Sequence, residues 1–128
     1  MAKILIVDDD EMDRVLISQS LHEAGHEPLF APNGKAALRI WRKNPADLVV
    51  TDIAMPELDG LELIEALRLD DPWVRIIAIS GVSADKLYSA EQSGALATLV
   101  KPVNVGELLA EIEKALEGHG PLRDLELL

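Results

Sequence analysis

Asp8 and Asp9, Asp52, Ser80 and Lys101 each follow directly on an apolar run: Ile4–Val7, Leu48–Thr51, Ile76–Ile79 and Leu99–Val100. Three carboxylates, a hydroxyl and an ammonium form a recognisable set if they meet in one place. Mg²⁺ is typically held by one or two carboxylates, waters and phosphate oxygens. An ammonium and a hydroxyl bind the remaining oxygens of a phosphoryl group. The set therefore suits a divalent cation together with a phosphoryl group, provided that the chain brings the residues together.

Singly, each residue has a plainer explanation. Acids after a strand cap the next helix, which accounts well for Asp10 and less well for Asp8 and Asp9. Asp52 could be a turn residue, since Pro56 and Asp59-Gly60 that follow carry turn chemistry. Ser80 could make a local turn bond ahead of a helix capped by Ser83. Lys101 could be solvated surface, although Pro102 bends the chain behind it. Their joint position is what argues for a site. Asp52 placed beside Asp8 and Asp9 suffers like-charge repulsion, which raises carboxyl pKa values and destabilises the fold. The expectation is that only a bound dication makes such crowding tolerable, as is common at functional sites.

The elements that must position these residues alternate. Apolar runs predict strands over 4–7, 27–30, 47–51, 74–79 and 96–100. Helical spacing predicts helices over 10–25 with Met12, Val15 and Leu16 inward, and from the Asn33 cap to Lys43 with Ala37 and Trp41 inward. It predicts others over 58–69 with Leu61, Ile64 and Leu67 inward, over 83–93, and after the Asn104 cap with Val105, Leu108, Leu109, Ile112 and Leu116 inward. The first, third and fourth strands are almost continuously apolar, as in a parallel sheet covered on both faces. Right-handed crossovers then give a three-layer α/β fold, a doubly wound parallel five-stranded sheet. Strand order 2-1-3-4-5 sets the first and third strands side by side where the winding reverses, the crevice in which ligands bind.

Composition sets the remaining bounds. The 128 residues fit a single domain, expected over residues 1–118, with a tail or linker over 119–128 after Gly118-His119-Gly120-Pro121. Hydrophobic residues make up 48% and aromatic residues only 3%, so the core must be aliphatic. The absence of cysteine excludes disulfides and thiolate metal sites. A net charge of −11 repels phosphate backbones, so direct nucleic-acid binding is not expected. No apolar run approaches the ~20 residues of a membrane span, and the opening Met1–Val7 is too short for a secretory signal, so the expected location is cytoplasmic. The fourth helix has little apolar surface, chiefly Leu87 and Ala90. His22, His26 and His119 have no metal-ligand spacing and are expected at the surface.

Taken in order, Ile4-Leu5-Ile6-Val7-Asp8-Asp9-Asp10, Leu48-Val49-Val50-Thr51-Asp52-Ile53-Ala54-Met55-Pro56 with Asp59-Gly60, Ile77-Ala78-Ile79-Ser80, Gly94-Ala95 and Val100-Lys101-Pro102 resemble the receiver domain of two-component response regulators. The resemblance covers about residues 2 to 118 and implies a flavodoxin-like receiver fold. It implies that Asp52 accepts a phosphoryl group from a histidine kinase or histidine phosphotransfer protein. Asp8, Asp9, Asp52 and the backbone carbonyl of Ala54 would hold Mg²⁺. Lys101 and Ser80 would bind phosphoryl oxygens, and the Lys101-Pro102 peptide would be cis. It also implies a signalling phosphoacceptor, not an enzyme on outside substrates, working as a monomer or weak dimer. The surface from the fourth helix through the fifth strand to the fifth helix would meet a downstream protein or attached output domain.

The chain departs from the resemblance at Thr98, where the family usually carries Tyr or Phe. A switch here is expected to rely on the Ser80 hydroxyl without a following ring. Ala54 and Val82, two residues beyond Asp52 and Ser80, cannot orient an attacking water, so a long-lived phosphorylated form is expected. A haloacid-dehalogenase-like phosphohydrolase would need a second Asp where Ala54 stands. A flavin carrier would not place Asp8-Asp9-Asp10 against a phosphate. The remaining competitor is a receiver-fold interaction module that works without phosphorylation.

Overall fold

The computed structural model describes residues 2–55, 58–81 and 84–117, with the side chains of residues 84–87 outside that description. Strands β1 (Lys3–Val7), β2 (Glu27–Ala31), β3 (Leu48–Asp52), β4 (Ile76–Ser80) and β5 (Ala97–Val100) alternate with helices α1 (Glu11–Glu23), α2 (Gly34–Lys43), α3 (Gly60–Asp70), α4 (Ala84–Ser93) and α5 (Val105–Glu117). The strands form one sheet in the order β2-β1-β3-β4-β5, and every pairing is parallel. The expected doubly wound sheet and its order are both present.

Successive side chains of a strand point to opposite faces, and the core divides accordingly. Leu5, Val7, Val49, Ile76 and Ala78 pack on one face with Trp41 of α2, Leu63, Ile64 and Leu67 of α3 and Ala90 of α4. Ile4, Ile6, Leu48, Val50, Ile77 and Ile79 pack on the other with Ile17 and Leu21 of α1 and Leu108 and Ile112 of α5. The result is a helix–sheet–helix sandwich. β3 and β4 are buried along their whole length, whereas β2 and β5 are the half-exposed edges. Each fully buried Leu or Ile contributes roughly 1.5–3 kcal/mol, so a mainly aliphatic core, with Trp41 packed into one face, holds the sheet and its rim.

Helix starts are set by side chains. Asp10 caps α1, accepting from the Met12 and Asp13 N–H groups at 2.9 and 3.3 Å. Asn33 caps α2 through the Ala36 N–H. Asp59 and Glu62 form a reciprocal capping box on α3, so Asp59-Gly60 opens a helix as well as closing a turn.

The inward face expected for α1 is corrected. Met12 is 82% exposed, Val15 59% and Leu16 48%, while Ile17 and Leu21 are buried. Apolar spacing supports either stripe on this helix. The sheet receives the face carrying Ile17 and Leu21, which pack with Ile4, Ile6 and Leu108. His26 is also corrected from surface to interior. It is 8% exposed, its Nδ1 accepts from the Ala2 N–H, and its Nε2 lies 3.1 Å from Glu113 Oε1 of α5. α1 ends at Glu23 and the chain turns at Gly25, φ 88, so His26 leaves the helical face that carries His22. The inward residues of α2, α3 and α5 agree with expectation at Ala37, Trp41, Ile64, Leu67, Leu108 and Ile112. The boundary after residue 118, the tail 119–128, Pro56, Val82, the Ser83 cap and the Leu87 side chain lie outside the described residues.

Candidate functional site

Strand register brings the site together. Val7 pairs with Thr51, so Asp8 and Asp52 leave neighbouring strands at the same level. Asp52 pairs with Ile79, which puts Ser80 one position further along β4; Ser80 pairs with Val100, which puts Lys101 one position further along β5. The Lys101 N–H donates to the Ser80 carbonyl at 3.0 Å and continues the ladder past the end of β5. The Lys101-Pro102 peptide is cis, as expected.

Asp8 and Asp52 are 2% and 5% exposed, and Ser80 is fully buried. Asp8 Oδ1 accepts from the Asp10 N–H at 2.9 Å, and Asp52 Oδ1 accepts from the Ala54 N–H at 3.3 Å. Arg14 Nη1 donates to the Asp8 carbonyl at 2.7 Å, tying the loop after β1 to α1. Carboxylate oxygens of Asp8, Asp9 and Asp52 all lie within 4.8 Å of one another. Oxygen-only donors at that separation, two of them buried, fit a hard divalent cation.

The Lys101 ammonium sits among the acids. Its Nζ is 3.0 Å from Asp52 Oδ2, 3.2 Å from Asp8 Oδ2 and 3.1 Å from Asp13 Oδ2. This corrects the expectation that only a dication makes the crowding tolerable, because the chain's own ammonium already compensates part of the charge. Burial raises the Asp8 and Asp52 carboxyls above their usual range; the Asp10 N–H and Lys101 oppose the rise at Asp8, and Lys101 opposes it at Asp52. At Lys101, burial pulls the pKa down, but bonds to Asp52 and Asp13 and the charges of Asp52 and Asp8 outweigh it, so the ammonium is held protonated.

Every side chain expected at the site is thus on one rim, with Ala54 beside Asp52. Asp13 and Arg14 were missed. A signal for Asp13 was available: it stands four residues before Ile17 and eight before Leu21, on the buried stripe of α1, where an acid at the rim end calls for a cationic partner.

A family model described as the response regulator receiver domain matches residues 4–113. The chain is 32% identical over 115 residues to sporulation initiation phosphotransferase F of Bacillus subtilis, covering 89% of this chain and 93% of that protein. It is 35% identical over 121 residues to the DNA-binding transcriptional regulator NtrC of Azospirillum brasilense, spanning 94% of this chain but only 25% of that one. Among solved structures, the chemotaxis protein CheY4 of Vibrio cholerae superposes with a TM-score of 0.85 at 33% identity, covering 91% of this chain and 99% of the other. With the match across most of its length and the acid-rimmed parallel sheet already in place, the chain belongs to the receiver domain family of two-component response regulators.

Proposed function

We propose that the chain takes a phosphoryl group onto Asp52 from a phosphohistidine donor, in the presence of Mg²⁺, and thereby switches a protein-interaction surface. The observation that carries this reading is the buried Asp52 carboxylate, 3.0 Å from Lys101 Nζ and within the cation-capable set of Asp8 and Asp9. An Asp52 oxygen attacks phosphorus, the P–N bond to the donor imidazole breaks, and an acyl phosphate results. Asp8, Asp9, Asp52 and the Ala54 carbonyl would hold Mg²⁺. When bound, the ion neutralises charge on the equatorial phosphoryl oxygens. Lys101 donates to one phosphoryl oxygen and the Ser80 hydroxyl to another. The chain acts only on its own phosphorylation and dephosphorylation, as a cytoplasmic signalling protein. Among the described residues no helix is long and apolar enough to cross a membrane.

The donor is a histidine kinase or histidine phosphotransfer protein, and it docks on the exposed Met12, Val15 and Leu16 face of α1, which adjoins the rim. The output surface is α4–β5–α5, where Tyr88 and Val100 are exposed. There Thr98 Oγ1 donates to Glu91 Oε1 at 3.3 Å, linking β5 to α4 in place of a ring. Phosphorylation adds about −1.5 to −2 charges at Asp52, which draws the Ser80 end of β4 inward and shifts this surface. A downstream protein or an output domain in the same polypeptide reads the change.

Incubation with Mg²⁺ and a small-molecule phosphodonor, followed by intact mass, tests the reading. An adduct of about 80 Da is expected on the wild type and none on Asp52→Asn. An unmodified wild type would favour the interaction module that works without phosphorylation. Followed over time, the adduct should persist, because the Ala54 methyl cannot orient a water. Ala54→Asn should shorten its half-life by up to about a hundredfold. A wild-type adduct that vanishes as fast as the variant's would remove this account of lifetime.

A further inference from the structure

Lys101 poses a problem for the cation that the proposed function requires. Its ammonium is bonded to Asp8 Oδ2 and Asp52 Oδ2, two of the three carboxylates of the metal-capable set. A divalent cation entering that set meets a positive charge already in contact with its ligands. The ammonium has three donors, and the third points to Asp13 Oδ2 at 3.1 Å. Asp13 is outside the set of mutually close carboxylates. It sits in the first turn of α1, half-buried, and borders a groove formed with Leu16, Ile17, Lys101, Pro102 and Val103. Residues of α1 and of the 101–103 segment line the groove, and Asp52 does not.

We propose that Asp13 is a positioning residue: it holds Lys101 toward α1 so that the ammonium can release Asp8 and Asp52 to a divalent cation while keeping a carboxylate partner. The proposal rests on the Mg²⁺ site of the preceding section and adds a role for a side chain outside it. Asp13 touches neither the cation nor the phosphoryl group. It acts through Lys101. Without it, the ammonium has only the metal's own ligands to pair with, and each Mg²⁺ bound must displace it into water.

A double-mutant cycle on Mg²⁺ affinity tests this, with calorimetry of Mg²⁺ binding to the unphosphorylated full chain as the readout. Asp13→Asn preserves shape and removes the charge; Asp13→Glu keeps the charge. Asp13→Asn is expected to weaken Mg²⁺ binding by about fivefold, the upper range for a partly exposed ion pair. Asp13→Glu should recover most of the loss. In the Lys101→Met background, Asp13→Asn should change affinity less than about twofold, since no ammonium remains to be held. An equal loss in both backgrounds would overturn the proposal and make Asp13 a direct or through-space contributor to the cation. No loss in the wild-type background would overturn it as well. If the wild type binds no Mg²⁺, the site reading itself fails and the inference goes with it. Circular dichroism melts of each variant establish that the measured chains are folded.

Discussion

Lys101→Met destabilises the metal-free chain at pH 7 by about 2–4 kcal/mol, and saturating Mg²⁺ restores most of the loss. The magnitude follows from removing one partner of a largely buried ion pair, which costs several kcal/mol because the remaining charge keeps its desolvation penalty. Here two carboxylates that are 2% and 5% exposed lose the cation that both contact. The lysine side chain is itself 23% exposed, which places the expectation below the fully buried case. A cation that binds only the folded chain contributes about 2.7 kcal/mol at a hundred times its Kd, enough to replace most of what the ammonium supplied. Urea unfolding of both chains with and without Mg²⁺ makes the comparison. Equal midpoints in the absence of Mg²⁺ would mean that the ion pairs contribute nothing to the fold.

The pH dependence fixes the sign independently. Asp8 and Asp52 have folded pKa values raised above the ordinary 3.8, so between that value and the raised ones the folded chain binds more protons than the unfolded chain. Stability from these two groups therefore falls as pH rises through that window. Lys101 opposes the rise at both carboxyls. Its removal lifts both pKa values further and steepens the fall. The variant should thus approach the wild type near pH 4 and diverge from it toward neutrality. Lys101 itself is raised by those same carboxylates, so its contribution holds only while they are ionised, is full up to about its ordinary value of 10.5, and is lost as pH rises through the folded value. A difference between the two chains that is constant from pH 4 to 7 would assign the loss to packing of the lysine stem and not to charge.

The parts of this molecule legible in the sequence are those governed by local pattern. Continuous apolar runs placed β1, β3 and β4, and acids, a hydroxyl and a lysine at their ends placed the rim, because a parallel sheet collects the carboxyl ends of its strands. Paired apolar residues on α2, α3 and α5 gave the inward faces, since each of those helices has one dominant stripe. α1 has two. Met12, Val15 and Leu16 make the more apolar one, yet Ile17 and Leu21 are buried. What periodicity does not encode is the tertiary contact of Asp13 with Lys101 on the rim, which lies on the same side of α1 as Ile17 and Leu21. His26 was misplaced for a similar reason: its partners, the Ala2 N–H and Glu113, are 24 and 87 residues away. The ammonium's role in holding the acids together needed coordinates too, because sequence places Lys101 on the rim but does not say how many carboxylates it reaches.

Gly60→Ala should impair phosphoryl acceptance far more than its cost in stability would explain. Gly60 opens α3 and its N–H donates to the Ile53 carbonyl at 2.8 Å, seating the helix on the chain just past the acceptor. A Cβ at this position meets the Asp52 carbonyl oxygen and stands 2.6 Å from Ile53 Cα and 3.1 Å from the Asp52 carbonyl carbon. All three are backbone atoms, so no side chain can swing away to make room. Either the start of α3 lifts or the end of β3 shifts. Overpacking of this kind costs about 1–3 kcal/mol, which leaves the chain folded. The acceptor suffers more, because Asp52 is fixed by that same backbone while Asp8 and Lys101 are fixed by β1 and β5. A displacement of about 1 Å at a reacting group costs on the order of a hundredfold in rate. Phosphorylation of Gly60→Ala by a small phosphodonor should therefore fall by about ten- to a hundredfold with the urea midpoint only modestly lowered. A variant at a distance from the site, such as Leu21→Ala in the α1 core, provides the contrast: it should lose about 2–5 kcal/mol and keep its rate while folded. If Gly60→Ala accepted phosphoryl as fast as the wild type, the close seating of α3 would not be what fixes Asp52.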